Sequence, residues 1–166
     1  MTFYDMFTHN SNLFISLPPT QASGKSFDYK TNVTWKEGRL GVLSADGFPS
    51  INVATPPEFE KGIPNTCSPE HLFVSSTVIC LMTTFLAIAE KSKLEFISFD
   101  CTGTGKLEKI DGMFMISEIE LEPVVKISDK SKEERTLRII EKSEHHCLIS
   151  NSIKTKILLK PEIVIV

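Results

Sequence analysis

The chain has 166 residues, 41% of them hydrophobic and 23% charged, which suits one soluble globular domain with a real core. Its 21 acidic side chains against 18 basic ones give a formal net charge of −3, and the lysines are scattered. Nothing in that distribution marks a nucleic-acid footprint or a basic membrane patch. The first 24 residues carry Asp5 and His9 and no lysine or arginine ahead of an apolar run, the wrong shape for a secretory signal, so a cytoplasmic location is expected.

Residues 1–25 read as an N-terminal extension, punctuated by Asn10, Ser11, Asn12, Pro18, Pro19 and Gly24, and residues 26–166 as the domain. Three strand-like stretches come first, near Phe27–Trp35, Arg39–Ala45 and Ser50–Ala54. Glu37-Gly38 and Asp46-Gly47 join them as hairpins. A loop marked by Pro56, Pro57, Gly62 and Pro64 follows. Ser68-Pro69-Glu70 then opens a helix, with serine as cap, proline at the first helical position and an acid in the first turn. That helix is predicted to run to about Lys91.

Within it, Leu72 to Ala89 is an eighteen-residue stretch without a charge, long enough to touch the membrane-span threshold. Ser75, Ser76, Thr77, Thr83 and Thr84 interrupt it, and charges flank it on both sides, so a buried core helix is the expectation and no membrane partner is implied. A long strand pair follows, Leu94–Lys109 and Met113–Ile127, hinged on Asp111-Gly112. Ser131-Lys132-Glu133-Glu134 has the form of a capping box opening a second helix that lasts to about Cys147. Asn151–Lys160 is the final strand, limited by Pro161. The pattern is βββ-α-ββ-α-β, an α+β protein with a long buried central helix.

Four cysteines without an export signal point to redox or metal chemistry rather than structural disulfides. On a helical wheel, Ser76, Thr77, Thr83 and Thr84 surround Cys80, while Leu72, Ile79, Met82 and Leu86 lie on other faces. Such a stripe leaves room beside a thiol for a small ligand; it equally lets two helices approach closely with no chemistry. Spacing alone leaves both readings standing. A free thiol is only a few per cent thiolate at neutral pH, and Cys80 lies too deep in its helix for the dipole to help. A reactive Cys80 therefore needs a cation from elsewhere. Of the three arginines, Arg135 and Arg138 read as a solvated helix face, which leaves Arg39, between Gly38 and Gly41, as the candidate.

Cys101 alternates with Ile97 and Phe99 and reads as a small core residue. Cys67 precedes the first helix and stands about 20 Å from Cys80 along it, too far for a disulfide. His71, His145 and His146 with Cys67 and Cys147 have no zinc-ligand spacing, so no metal or other cofactor is expected.

The Ser68-Pro69-Glu70-His71-Leu72-Phe73 run, a cysteine ten residues after that glutamate, an early Gly-Arg-x-Gly and a second cysteine 67 residues on resemble the OsmC/Ohr hydroperoxide reductases. Pro56-Pro57-Glu58-Phe59, Cys80-Leu-Met-Thr-Thr-Phe85 and Cys147-Leu-Ile-Ser-Asn-Ser152 look similar to an OsmC-like branch of them. The resemblance covers roughly residues 27–160. It implies Cys80 as peroxidatic cysteine, Cys147 as resolving cysteine, Arg39 as the thiolate-stabilising arginine and Glu70 as the acid that orients it. It further implies an intertwined homodimer with interfacial active sites, an organic hydroperoxide substrate and a dithiol reductant such as a lipoylated protein. Leu148 departs from the proline that the family's hydroperoxide reductases commonly carry after the resolving cysteine. The function so implied is a thiol-dependent peroxidase; the alternative is a non-catalytic OsmC-like protein that binds an apolar ligand or senses oxidation.

Overall fold

The computed structural model describes residues 24–166, so the extension expected over residues 1–25 lies almost wholly outside the described residues. Residues 31–166 form one unit. It opens with an antiparallel sheet in the order β1-β2-β3, built from β1 (Asn32–Glu37), β2 (Leu40–Ala45) and β3 (Phe48–Ala54). The first strand begins at Asn32 rather than Phe27. Asn32 already pairs with Ser44, and β2 ends one residue later at Ala45, so the strand has no partner for a start as early as Phe27.

α1 (Pro69–Ser92) starts where the local signals placed it. Ser68 is extended and accepts the His71 N–H, Pro69 stands in the first turn, and Glu70 meets the positive helix end. Lys93 stops the helix in the left-handed region at φ 53°, its N–H bonding back to the Ala89 and Glu90 carbonyls. β4 (Ser98–Ile110) and β5 (Met113–Ile127) then form a long hairpin. Its two-residue turn, Asp111-Gly112, takes positive φ at both positions (49° and 84°), the geometry that matches the twist of the paired strands.

The predicted capping box at Ser131 does not form. Ser131 bonds instead to Asp129, which caps a short 3-10 turn at Lys130–Lys132, and α2 (Glu133–His145) continues from that turn without a side-chain cap. Asp129 reaches the free N–H groups first because it lies two residues upstream in extended backbone. Of the strand expected over Asn151–Lys160 only β6 (Lys156–Leu159) forms, because Ser150–Ser152 is a 3-10 turn, and β7 (Glu162–Ile165) adds a further strand beyond it; both run parallel to β5 and follow one another along its edge. Pro161 separates them because it has no N–H to give the ladder. The observed order is βββ-α-ββ-α-ββ, an α+β fold.

α1 lies over β4 and against α2. It buries Thr77, Leu81, Phe85 and Ala89, a stripe four residues apart that forms one helix face. Leu81 packs with Ile119 and Leu121 of β5, and Phe85 and Ala89 pack with Val125, Ile127, Ile139 and Ile140. Although α1 is long and apolar enough to cross a membrane, here that apolar face closes a core. Its outer face leaves Ile79, Met82 and Leu86 exposed, and Val33, Trp35 and Phe48 are exposed on the first sheet.

Two glycines on β4 set how closely α1 can approach. A methyl group at Gly103 would collide with Val78 and stand 3.1 Å from Val74, and one at Gly105 would stand 2.5 Å from Val74. Both obstacles are β-branched side chains with little freedom to turn away. Gly103→Ala should therefore lower stability by about 1–3 kcal/mol through overpacking, read as a fall in the urea midpoint. An unchanged midpoint would show that the helix has slack above the strand.

Candidate functional site

Cys80 lies mid-way along α1, beside the buried stripe, and is half-buried. Cys147 lies just past the end of α2, which stops at His145 rather than running through to it. Its N–H still bonds the Glu144 carbonyl at 2.9 Å, and its own side chain is fully buried. The packing of α1 on α2 brings the two thiols together across the helix pair. Burial raises the Cys147 pKa, and the neighbouring Cys80 side chain raises it further.

The turn after Cys147 is held tightly. Asn151 donates its side-chain amide to the His145 carbonyl at 3.0 Å and to the Cys147 carbonyl at 2.9 Å, and its N–H also reaches the Cys147 carbonyl at 3.1 Å. The Ser150 N–H points at the Cys147 sulfur from 3.5 Å. The sequence shows Ser150 and Asn151 only as part of the run after Cys147, with no role attached to either. The only signal was a serine three residues after the cysteine, a spacing that acquires meaning once the chain is known to turn there. Leu148 is exposed and takes no part in this turn's packing.

Hydroxyls around Cys80 are committed elsewhere. Ser76 donates to the Phe73 carbonyl at 2.6 Å, Thr77 to the Val74 carbonyl at 2.7 Å, and Thr83 to the Cys80 carbonyl at 3.1 Å. They satisfy the helix backbone.

Arg39 and Glu70 are at the other end of α1. Arg39 is half-buried between β1 and β2 and lines an open groove of about 370 Å³ together with Trp35, Val53 and Pro69. Glu70 lines a second cavity of about 330 Å³ with His71, Ser75 and Thr104, and its Oε2 is buried there without a hydrogen-bond partner. Because α1 is unbroken, Glu70 stands about 15 Å along the axis from Cys80. One chain thus unites Cys80 with Cys147 but holds Arg39 and Glu70 about three helical turns away.

Cys67 is half-buried and joins Val53 in an isolated bridge, and Cys101 is half-buried in the β4 face beside Leu81. Among the described residues, no three His, Cys, Asp or Glu side chains are grouped to hold a metal ion.

The OsmC-like protein family profile matches residues 62–162, which is more than half of the chain and spans both thiols. The chain belongs to the OsmC-like family. Solved OsmC-like structures share its fold across nearly their whole length. An OsmC-like protein of unknown function from Vibrio cholerae superposes with a TM-score of 0.74 at 22% identity, covering 82% of this chain and 99% of that one. An organic hydroperoxide resistance protein from Elizabethkingia anophelis gives 0.69 at 21% identity, covering 87% and 100%. Another, from Bacillus subtilis, gives 0.61 at 22% identity, covering 82% and 98%. No curated protein matches the sequence.

The lesser cysteine offers a check on the electrostatics. Burial raises Cys101 from 9.0 to about 11. Between those values the unfolded chain has released a proton that the folded chain still holds, so stability falls as the pH rises through that window. Cys101→Ala should remove part of this alkaline loss, seen as a flatter dependence of the urea midpoint on pH. Equal slopes in both proteins would show that burial of this thiol is not a cause.

Proposed function

We propose that this OsmC-like protein is a thiol peroxidase for organic hydroperoxides, with Cys80 as nucleophile and Cys147 as resolving thiol. The observation that supports this most directly is the closeness of these two side chains where α1 packs on α2, one partly exposed and the other buried. Family relatives named for organic hydroperoxide resistance support the same chemistry.

In this cycle the Cys80 thiolate attacks the distal peroxide oxygen and the O–O bond breaks. The departing alkoxide takes up the proton that Cys80 gave up and leaves as an alcohol, with Cys80 now a sulfenic acid. Cys147 attacks that sulfur, water departs, and a Cys80–Cys147 disulfide forms. A dithiol such as a dihydrolipoyl protein then reduces the disulfide and becomes a disulfide itself. No metal or organic cofactor enters these steps.

Arg39 and Glu70 enter this reading through a homodimer. The exposed Ile79, Met82 and Leu86 on α1, and Val33, Trp35 and Phe48 on the first sheet, are apolar surface of the kind that a second copy covers. An intertwined pair allows the partner subunit's Glu70 and an arginine to approach Cys80, and gives the unpartnered Glu70 oxygen a cation to meet. Sedimentation should show a dimer at micromolar concentration; a stable folded monomer would remove this part of the reading.

The deciding measurement is steady-state consumption of cumene hydroperoxide with dihydrolipoamide as donor. Cys80→Ser should abolish it, and Arg39→Ala should slow it by at least about tenfold through lost charge stabilisation. After one equivalent of peroxide, peptide mapping should find Cys80 linked to Cys147; a Cys80–Cys101 or Cys80–Cys67 link would overturn the assignment. A disulfide that forms without turnover would favour a redox sensor over an enzyme.

A further inference from the structure

Resting on the peroxidase reading, the cycle must end with reduction of a Cys80–Cys147 disulfide, and the two sulfurs are not equivalent targets. Cys147 is fully buried, whereas Cys80 is partly open to solvent. Thiol–disulfide exchange needs access to the attacked sulfur and a place for negative charge on the sulfur that leaves. Such a place exists at Cys147. The Ser150 N–H stands 3.5 Å from its sulfur, and the Ser150 hydroxyl is buried beside it with no hydrogen bond of its own. Both Ser150 groups act to lower the Cys147 pKa, against the burial that raises it.

A buried hydroxyl without a partner is uncommon in native proteins and calls for a reason. Neutral sulfur is a weak acceptor, so this hydroxyl gains little while Cys147 is a thiol or half of a disulfide. A thiolate is a strong acceptor. The missing bond is therefore available only when charge develops on Cys147, which is the condition for an interaction to speed a step rather than merely stabilise a ground state. Asn151, clamped on the carbonyls of His145 and Cys147, holds the turn so that Ser150 needs only a side-chain rotation to make that bond.

We infer that Ser150 directs the reductive half of the cycle: the dithiol attacks the Cys80 sulfur, and Cys147 departs as a thiolate received by the Ser150 N–H and hydroxyl. The S–S bond breaks with its electron pair on Cys147, and a mixed disulfide joins Cys80 to the reductant. Cys147 then takes the proton released by the attacking thiol. The reductant's second thiol closes on its own sulfur in the mixed disulfide, freeing Cys80 and leaving the reductant as a disulfide.

The test starts from protein oxidised with diamide, so a chain that consumes no hydroperoxide still reports how its disulfide is opened. Brief exposure to the monothiol N-acetylcysteine, acid quenching, unfolding and alkylation should place N-acetylcysteine on Cys80 and the alkyl group on Cys147. The reverse labelling overturns the proposal. Ser150→Ala should slow reduction by dihydrolipoamide by roughly ten- to a hundredfold. It should leave unchanged the fraction oxidised at a fixed ratio of reduced to oxidised lipoamide, because Cys147 ends as a neutral thiol in either protein. Ser150→Thr, which keeps the hydroxyl, should recover most of the rate. A Ser150→Ala protein that is reduced at the wild-type rate, or whose equilibrium shifts as much as its rate, overturns the role given to the hydroxyl.

Discussion

Everything that brings chemistry to this chain depends on how closely α1 lies on the hairpin of β4 and β5. Gly103 and Gly105 remove two side chains from the contact, and Val74 and Val78 fill the space they vacate. The helix is thereby lowered onto the sheet until Leu81 and Phe85 reach Ile119, Leu121 and Val125. Cys80, one residue before Leu81, is carried down with it to the margin of the core. A helix held even one side-chain layer higher would leave Cys80 on the surface and Cys147 alone beneath it.

Cys147 reaches the same place by a different route. α2 is the crossover between β5 and β6, which run parallel and so need a connection across the face of the sheet. The end of that crossover must turn back toward β6, and the turn is where Cys147, Ser150 and Asn151 lie. The Cys147 position is thus part of the connection that makes a parallel pair possible. Its hydrogen bonds serve the fold and the thiol at once: Asn151 satisfies carbonyls left open at the helix end, and Ser150 faces the sulfur.

The arrangement separates two electrical tasks. Burial beside Cys80 holds the Cys147 pKa up. The polar groups with formal charge, Arg39 and Glu70, are kept at the N-terminal end of α1 and are supplied to Cys80 in the proposed function by a second copy. In the proposed dimer the second copy completes this divided site, which ties the exposed apolar surfaces of α1 and of the first sheet to the same chemistry as the thiols.

Much of this was legible in the sequence because it is local. Ser68-Pro69 and Asp111-Gly112 carry their own backbone geometry, and the uncharged run after Leu72 allows little but a helix; these elements appear where the residues place them. Family resemblance supplied Cys80 and Cys147 as a pair from their spacing in the whole pattern. Local signals failed where a neighbour competed, as when Asp129 took the N–H groups assigned to the Ser131 box. They failed also where a partner strand set the limit, as β2 does for the start of β1. The meeting of Cys80 with Cys147 and the unpartnered oxygens of Glu70 and Ser150 were decided only by tertiary packing. Each depends on what lies across a gap between elements distant in the chain, and a side chain's partner or its lack of one is a property of that gap rather than of the residues beside it in sequence.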